Sequence, residues 1–450
     1  MVPVNDIPLK DNPPDGPAAG GAPLRVALLG CGHVGSQVAR LLTESADDLA
    51  ARVGRPLRLV GVGVRHLQAE RPGVDPALIT DRVDELVAQA DLVVEVIGGI
   101  EPARRLILSA MDQGAAVVTA NKALLAAHGP ELHAAAARAG VDFYFEAAVA
   151  GAIPIVRPLR ESLAGDEVLT VMGIVNGTTN YILDKMTADR LSFGQALAQA
   201  QELGFAEADP TADIEGYDAA AKASILASLA FHTEIAGDQV HREGISAITA
   251  EDVAAAASWG HVIKLLAVAR LIDQGEQRVS VRVHPAMVPQ SHPLAAVRGA
   301  HNAIWVEARH SGELMFSGPG AGGEPTAAAV LGDMVTVARH RAQGSAGPIW
   351  RPYTRRPVAP MAAAETRYYV SLLVQDAAGV LAKVAAVFAR HGVSILAVRQ
   401  TQLEGQVGRA NLGVMTHVAQ DAAVQETLAE LRAVPQVVSG RIRHLRVEGH

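Results

Sequence analysis

The sequence has little cysteine, no long apolar run and no excess of positive charge, and each shortage excludes a class of protein. Its single cysteine, Cys31, cannot form an intramolecular disulfide, which excludes a disulfide framework and suits a reducing cytoplasm. No apolar run approaches the roughly 20 residues that a membrane-spanning helix needs. The formal net charge of −8 gives no basic footprint for nucleic acid. We therefore expect a cytoplasmic protein whose partners are small molecules, not nucleic acid or membrane.

The chain is long enough for several domains with sizeable cores. It has 450 residues, 49% of them hydrophobic, and one domain takes about 100–200 residues. Residues 1–23 are rich in proline, glycine and aspartate and lack the regions of a signal peptide, so we expect a disordered tail there. The pattern of the remaining chain predicts domains at 24–150, 151–348 and 367–450, with a linker at 349–366.

Short β-rich runs alternate with helical segments in the first domain. The runs are mostly apolar throughout, as expected of strands covered on both faces: LRVALL (24–29), LRLVGVGV (57–64), DLVVEVIGG (91–99), AAVVTA (115–120) and VDFYFE (141–146). Helical periodicity lies between them at 34–53 and 83–90. The alternation predicts an α/β domain with a doubly wound parallel sheet.

A glycine-rich turn joins the first strand to the first helix, and it reads Gly30-Cys31-Gly32-His33-Val34-Gly35. Glycines also mark ordinary turns, but a GxGxxG that follows a strand and opens a helix favours dinucleotide binding. The first glycine permits the tight turn, the second lets a pyrophosphate approach, and the third lets helix and strand pack closely. We expect a Rossmann-type site formed by this turn.

The second strand predicts which nucleotide is bound. An NAD site places Asp or Glu at this strand end to bond the ribose 2′-hydroxyl, whereas this strand ends in Val64-Arg65. An arginine suits a 2′-phosphate, so the sequence favours NADP over NAD. A solvated arginine is the alternative.

The ends of the next strands carry further candidates. Thr119 lies at the end of the fourth strand and Lys122 follows it, at the carboxyl edge where ligands bind in such folds. Lys122 alone would also fit an ordinary loop. Glu146 leaves a buried strand amid small residues, and a buried carboxylate needs a partner. A cation held with backbone carbonyls would supply one, and so would a hydrogen-bonded turn.

The second domain mixes strands with alanine-rich helices, which predicts an α+β domain. The expected strands are 168–176, 277–285, 303–309 and 314–319, and the expected helices include 192–204 and 258–273. We assign His261, on the second of these helices, a structural role. The glycine-rich stretch that contains Gly322 precedes a further helix, where it provides either close backbone approach to a phosphate or a flexible return loop.

The segment GYDAAAK places Asp218 and Lys222 four positions apart, on one face of a helix. Such a spacing fits a surface ion pair worth about 0.3–0.5 kcal/mol or a catalytic acid–base pair. Four acids precede it within nine positions: Glu207, Asp209, Asp213 and Glu215. They suit capping and the helix dipole, or the binding of a substrate ammonium group.

The last 84 residues, 367–450, have the order βαββαβ of a ferredoxin-like fold. The stretches DAAGVL (376–381) and VSI (393–395) resemble the ACT domain, a regulatory amino-acid-binding module.

Several motifs together resemble homoserine dehydrogenase, in that family's order: VALLGCGHVGSQVA, VVTANKALLA, EAAVAGAIPI, GIVNGTTNYIL, LGFAEADPTADIEGYDAAAK and GPGAGGEPTAAAVLGD. The resemblance implies reversible oxidation of L-homoserine to L-aspartate 4-semialdehyde with NAD(P). Lys222 then corresponds to the catalytic proton donor and acceptor, with Asp218 beside it. Glu207 and Asp218 correspond to substrate-binding acids, and Lys122 is shared between cofactor and substrate.

The same resemblance implies a cation, an effector and an assembly. Glu146, with the carbonyls of Val149, Gly151 and Ile153, corresponds to a monovalent cation site, commonly sodium. The helix after Gly322 helps form a dimer, so a homodimer or homotetramer is expected. Feedback inhibition by L-threonine through paired ACT domains is expected, with an ACT unit that only dimerises as the alternative.

The implied chemistry requires a base, because the cofactor takes the hydride but not the hydroxyl proton. A lysine serves if desolvation or a nearby cation lowers its pKa, whereas a neighbouring carboxylate acts in the opposite direction. Two rival functions remain: a ligand sensor that keeps a nucleotide fold without turnover, and another amino-acid dehydrogenase with an ACT tail.

Overall fold

The computed structural model describes residues 21–273, 277–348, 350, 352–402 and 408–449. Most of the predicted tail therefore lies outside the described residues. The described chain forms two compact units. The first contains the residues up to Ala148 and those from Gly322 to Arg351, and the second contains Val149–Ala321 and the residues from Pro352 onward.

The N-terminal part of the first unit alternates strands and helices. In chain order they are β1 (Leu24–Leu29), α1 (His33–Glu44), α2 (Ala46–Val53), β2 (Leu57–Gly63), β3 (Ile79–Thr80), α3 (Val83–Ala88), β4 (Leu92–Glu95), α4 (Ala103–Asp112), β5 (Ala116–Thr119), α5 (Lys122–Ala139) and β6 (Phe143–Tyr144). The predicted helix at 34–53 is divided at Ser45.

The strands of the first unit form one parallel sheet in the order β3-β2-β1-β4-β5-β6. This order is that of a Rossmann-type sheet, which confirms the predicted doubly wound fold. Successive strands are added on one side of β1 up to β3 and on its other side from β4 onward. Ligands bind in the crevice outside the carboxyl ends of the strands at such a point.

The elements of the second unit up to Ala321 mix both types. They are β7 (Val168–Ile174), α6 (Gly177–Ala188), α7 (Phe193–Glu202), α8 (Thr211–Ile214), α9 (Tyr217–Ala230), β8 (His241–Arg242), α10 (Ala250–Ser258), β9 (His261–Asp273), β10 (Gln277–Pro289), β11 (His301–Ala308) and β12 (Gly312–Pro319).

The predicted helix at 258–273 is wrong, because His261–Asp273 form the strand β9. It lies between β7 and β10 in the sheet and is paired with β10 along its whole length. Its residues from Val262 to Ala269 are buried. A strand buried on both faces reads as a continuous apolar run, which periodicity alone does not separate from a buried helix.

One more helix, α11 (Gly323–Ala342), belongs to the first unit. Its residues Ala327, Val330 and Met334 are fully buried in the same apolar core as Val38 of α1. This grouping differs from the predicted range 151–348, because α11 buries its apolar face against α1 and α2.

The C-terminal elements complete the second unit. They are β13 (Glu365–Gln375), α12 (Val380–Arg390), β14 (Ile395–Gln402), β15 (Arg409–Thr416), β16 (Ala419–Gln420), α13 (Asp421–Leu431) and β17 (Val437–Val447). Their order is the predicted βαββαβ with one short extra strand. The two helices cover a core that includes Tyr368, Val384, Phe388 and Leu428.

The C-terminal module and the preceding domain share one sheet. Its order is β12-β11-β7-β9-β10-β17-β13-β15-β14. The join is a short parallel pairing of β10 with β17, at Ala286↔Arg446 and Met287↔Val447. The short strand β8 pairs with β10 at Arg282 and Val283. Among the described residues, none of the helices is both long and apolar enough to cross a membrane.

Candidate active site

The glycine-rich turn of the first unit is shaped for close packing and for a ligand. Gly30 has φ +103°, and a Cβ there would lie 2.8 Å from the carbonyl oxygen of Val96. A Cβ on Gly35 would overlap the carbonyl oxygen of Gly30, whereas one on Gly32 would meet nothing within 4 Å. The first and third glycines are therefore needed by the fold, and the second faces open space suited to a pyrophosphate.

The helix that follows presents free amides to this space. His33 and Val34 begin α1, whose first turn carries no acidic residue. A helix N-terminus binds anions through its amide groups and its dipole. Gly322, with φ +117°, caps α11, and a Cβ on the next residue, Gly323, would lie 2.7 Å from the carbonyl oxygen of His33. Gly322 and the glycine-rich turn, both predicted to bind the cofactor, are thus brought together by the packing of Gly323 against His33.

The end of β2 exposes the predicted arginine. Val64 is buried, and its amide donates to the carbonyl of Thr80 at 2.8 Å, whereas Arg65 is exposed. A second guanidinium lies in the same turn, since Arg71 donates to the carbonyl of His66 at 2.7 Å. Sequence reasoning missed Arg71, because it reaches this turn only through the fold of a loop.

The end of β5 is organised by a buried acid that the sequence analysis did not single out. Glu95, fully buried, accepts from the Thr119 hydroxyl at 2.6 Å and from the amide of Ile97 at 2.8 Å. Asn121 caps α5 by accepting from the amide of Leu124 at 3.1 Å. Lys122, the first residue of α5, is half-buried at this carboxyl edge. The sequence signal for Glu95 was a single glutamate inside the apolar run of DLVVEVIGG, where a buried charge needs partners.

The residues of the predicted cation site belong to different units. Glu146, 1% exposed, lies in the first unit, where its amide donates to Asp333 Oδ2 at 2.7 Å. Val149, Gly151 and Ile153 lie in the second unit. Gly151 has φ +59°, and a Cβ there would lie 2.6 Å from the backbone of Gly320. The described residues contain no group of three or more His, Cys, Asp or Glu side chains placed to hold a metal ion.

The acid–base pair of GYDAAAK lies in the second unit, and it is not a surface pair. Lys222 Nζ lies 2.7 Å from Asp218 Oδ2, and the two side chains are 10% and 7% exposed. Nζ also donates to the carbonyl oxygen of Val175 at 2.7 Å. Both residues lie on α9, which begins after Gly216 in a left-handed conformation. Contacts with a carboxylate and a carbonyl oxygen are those of an ammonium group.

A bridging amide connects this pair to a second carboxylate. Asn176 Nδ2 donates to Asp218 Oδ2 at 2.9 Å and to Asp213 Oδ1 at 2.6 Å. The same side chain caps α6, because its Oδ1 accepts from the amide of Thr179 at 2.9 Å. Its orientation is thereby fixed by contacts with α6, α8 and α9. The sequence Asn-Gly-Thr-Thr at the beginning of α6 was a signal for this cap. The bridge that Asn176 forms to the two carboxylates depends on tertiary structure.

Burial raises the pKa of Asp213, although the hydrogen bond from Asn176 acts in the opposite direction; the charge of Asp218 raises this pKa further. Asp213 is therefore more than a helix-capping acid. Asn176 thus connects Asp213 to the Asp218–Lys222 pair.

The other predicted substrate-binding acid lies nearby in the chain but is exposed. Glu207 is in the loop between α7 and α8, where its carbonyl oxygen accepts from Gln201 Nε2 at 3.0 Å. This loop is tied to α6 by the Thr178 hydroxyl, which donates to the carbonyl of Phe205 at 2.6 Å. Glu207 is thus held on a solvent-accessible loop next to the helix that Asn176 caps.

Three family models match the chain. The model described as "Homoserine dehydrogenase" matches residues 154–335, and that described as "Homoserine dehydrogenase, NAD binding domain" matches residues 30–146. The model "ACT domain" matches residues 368–436. These matches fall on the substrate region, the Rossmann-type sheet and the C-terminal module respectively.

Curated relatives are similar along nearly the whole chain. A homoserine dehydrogenase of Mycobacterium tuberculosis is 56% identical over 434 residues, covering 95% of this chain and 98% of the relative. One from Corynebacterium glutamicum is 50% identical over 430 residues, covering 95% of both chains.

Solved structures agree. A homoserine dehydrogenase from Thiobacillus denitrificans is 39% identical, with a TM-score of 0.88 over 95% of this chain and 98% of its own. A hyperthermophilic archaeal homoserine dehydrogenase in complex with NADPH is 27% identical, with a TM-score of 0.60 over 73% of this chain and 100% of its own. The chain therefore belongs to the homoserine dehydrogenase family of oxidoreductases and carries a C-terminal ACT domain.

Proposed function

We propose that this enzyme interconverts L-homoserine and L-aspartate 4-semialdehyde with NADP, with Lys222 as the group that transfers the hydroxyl proton. The observation that carries the proposal is the buried ammonium of Lys222, held by Asp218 and the carbonyl of Val175. A bound nicotinamide nucleotide supplies or accepts the hydride. The protein must supply the proton and the orientation.

The geometry of Lys222 suits the reduction of the semialdehyde. An ammonium group has three N–H donors, and two of them are directed to Asp218 and to the carbonyl of Val175. The third is available to the aldehyde oxygen, which takes the proton as the hydride reaches the carbon. In the reverse direction the neutral amine accepts the hydroxyl proton. Asp218 thus holds the proton-donating form of Lys222 in place for the reduction.

The remaining assignments follow the family resemblance. Glu207 binds the substrate ammonium group from its exposed loop, and Lys122, at the carboxyl edge of the parallel sheet, serves both cofactor and substrate. Glu146 and the carbonyls of Val149, Gly151 and Ile153 bind a monovalent cation, which we propose is Na⁺.

We place the reaction in threonine, methionine and isoleucine biosynthesis in the cytoplasm, in a homodimer or homotetramer. The ACT module supports regulation by an amino acid, and we propose L-threonine.

The activity and its cofactor are tested together by absorbance at 340 nm with L-homoserine and either NADP or NAD. We expect turnover with NADP at a lower KM than with NAD. The exposed guanidinium of Arg65 is available to a 2′-phosphate, so Arg65→Ala should raise the KM for NADP about tenfold and leave that for NAD unchanged.

The matched control is Arg52→Ala. Arg52 is also exposed in the first unit, but it pairs with Asp48 at 2.8 Å on α2, so neither KM should change. No turnover with either cofactor would reject the enzymatic proposal and favour a ligand sensor. Equal loss of NADP and NAD affinity in Arg65→Ala would reject the 2′-phosphate contact.

Regulation is tested by isothermal titration of L-threonine into the full chain, with activity measured in parallel. The predicted site is at the loop before α12, where Asp376 Oδ1 accepts from Gln400 Nε2 at 2.8 Å and Gly379 has φ +84°. We expect binding and inhibition, both weakened by Gly379→Ala, since a left-handed φ disfavours any side chain. Absence of heat, together with activity indifferent to threonine, would leave the ACT module a dimerisation unit.

A further inference from the structure

A five-residue stretch of the second unit touches both the ACT module and the start of the catalytic helix. Residues 241–245, here called the connecting segment, begin with β8 and continue along β10, where the amide of Glu243 donates to the carbonyl of Val283 at 2.8 Å. The strand β17 of the ACT module pairs with the same strand β10 at Ala286 and Met287. The connecting segment and β17 are thus held by neighbouring parts of one strand.

On one side, the connecting segment packs closely against the turn that begins α9. The amide of Ile245 donates to the carbonyl of Ile214 at 2.8 Å. A Cβ on Gly244 would lie 2.5 Å from that carbonyl oxygen and 2.7 Å from the Cα of Glu215. The two backbones therefore approach so closely that a shift of one displaces the other.

The side chain of Arg242 fixes the same turn. Its guanidinium donates to the carbonyl of Glu215 and lies 3.5 Å from the ring centroid of Tyr217, the first residue of α9. Gly216, with φ +79°, leaves space where a Cβ would lie 3.3 Å from Arg242 Cγ. This turn directly precedes Asp218, so the connecting segment positions the start of the helix that carries Asp218 and Lys222.

On the other side, the connecting segment is held by an arginine of the ACT module. Arg446 on β17 is 4% exposed, and its Nη1 lies 2.8 and 2.9 Å from the two carboxylate oxygens of Glu243. Its Nη2 donates to Asp421 Oδ1 at 3.0 Å, and that oxygen also accepts from the Tyr368 hydroxyl at 2.7 Å. The guanidinium is therefore fixed by ACT residues and directed at Glu243.

Neighbouring groups favour the ionised form of Glu243. Burial acts to raise its pKa, but the hydrogen bond with His241 and the charge of Arg446 outweigh this effect and hold the pKa at about 2. The contact with Arg446 is thus a charge-assisted one, in which the single nitrogen Nη1 reaches both carboxylate oxygens of Glu243.

We propose that Arg446 is a positioning residue for the Asp218–Lys222 pair, acting from the ACT module through Glu243 and the connecting segment on the turn that begins α9. The proposal rests on the proposed function, because it assigns a regulatory contact to that active site. Rearrangement of the ACT module around Arg446 then changes the alignment of Lys222 without any ligand entering the active site.

The test is a kinetic comparison of Glu243→Gln with the matched control Arg443→Gln, each in the full-length enzyme. Arg443 also lies on β17 and pairs with a carboxylate, Asp252 at 2.5 Å, but its partner is on α10. We expect Glu243→Gln to lower kcat about 3- to 30-fold without changing the KM for NADP. Arg443→Gln should leave kcat within twofold.

A double-mutant cycle separates positioning from general destabilisation. In a Lys222→Ala background, Glu243→Gln should have no further effect on the residual rate, because the lysine it positions is absent. Arg446→Lys keeps the charge but loses the guanidinium that contacts Glu243 through Nη1 and Asp421 through Nη2. It should give an intermediate kcat, and it decides the question if Glu243→Gln does not fold.

Three outcomes would overturn the proposal: unchanged kcat in Glu243→Gln, an equal loss in Arg443→Gln, or a full effect of Glu243→Gln without Lys222. In each of these cases the wild-type enzyme still turns over homoserine, so the proposed function stands. A wild-type enzyme without turnover would instead reject the proposed function, and this proposal with it.

Discussion

Replacing Lys222 with alanine is expected to lower kcat for homoserine oxidation by about 10²- to 10⁴-fold, the usual contribution of a positioned general acid or base. The reason is the environment of its Nζ, which is held at 2.7 Å by both Asp218 and the carbonyl of Val175. Steady-state kinetics at saturating NADP is the measurement.

The affinity for the cofactor should be nearly unchanged in this variant, because the nucleotide turn belongs to the first unit and Lys222 to the second. Lys222→Arg should also be slow, since an arginine keeps the charge but does not release a proton. Turnover equal to that of the wild type in either variant would show that another group transfers the proton.

Lys185→Ala is the matched control for this experiment. Lys185 pairs with Asp189 at 2.8 Å across four residues of a helix terminus, but the side chains are 30% and 46% exposed. Solvent screening makes such a pair worth little, so kcat and the melting temperature should stay close to those of the wild type. A large loss in both lysine variants would indicate general destabilisation.

Replacing Glu448 with glutamine is expected to lower the free energy of unfolding by about 3–5 kcal/mol, because it leaves a buried charge without its partner. Glu448 accepts from Arg282 Nη2 at 2.6 Å, and the two side chains are 0% and 1% exposed. Burial acts to raise the pKa of Glu448, but the charge of Arg282 and the contact with His284 outweigh it and leave the pKa well below its ordinary value. The pair is therefore ionised and joins β10 to the residue after β17.

The sign of the pH dependence follows from this direction. A carboxylate whose pKa is lowered by folding stabilises the folded state above its unfolded pKa of about 4.5, and this contribution is lost as the pH falls. The difference between wild type and Glu448→Gln should thus be constant from about pH 6 to 8 and shrink below about pH 4.5. Denaturation followed by circular dichroism, with hydrogen exchange of β10 and β17 amides, measures it.

Two further variants test whether the loss of stability arises from burial of the pair or from the loss of any ion pair. Glu167→Gln breaks an exposed pair with Arg309 at 2.5 Å, with side chains 39% and 54% exposed, so its effect should stay within about 1 kcal/mol. The double change Arg282→Met with Glu448→Leu removes both charges and should recover much of the loss. Equal destabilisation by Glu448→Gln and Glu167→Gln would contradict the argument from burial.

The sequence predicted those parts of the molecule whose signals are local. The turn at Gly30 and Gly35, the parallel sheet and the helical spacing of Asp218 and Lys222 each depend on residues close together in the chain. The order of elements in the ACT module was predicted for the same reason. Such patterns reflect strand burial, glycine conformation and helix periodicity, which neighbouring residues determine.

The parts that were missed depend on contacts distant in sequence. The run at 258–273 became a strand because β7 and β10 cover it on both sides. Its buried Lys264 is accommodated by Asn180 Oδ1 at 2.9 Å and the carbonyl of Val297 at 2.6 Å. The bridge from Asn176 to Asp213 and Asp218 spans 37 and 42 residues. Spacing within one segment carries no information about such partners.

The shared sheet has a consequence for any attempt to produce the catalytic region alone. Removing the ACT module would leave the edge of β10 at Ala286 and Met287 without the strand that covers it. Both residues are fully buried in the intact chain, and an exposed apolar strand edge is a template for pairing with another chain. Such a truncated protein would self-associate through this edge, so loss of activity after truncation would report aggregation as well as lost regulation.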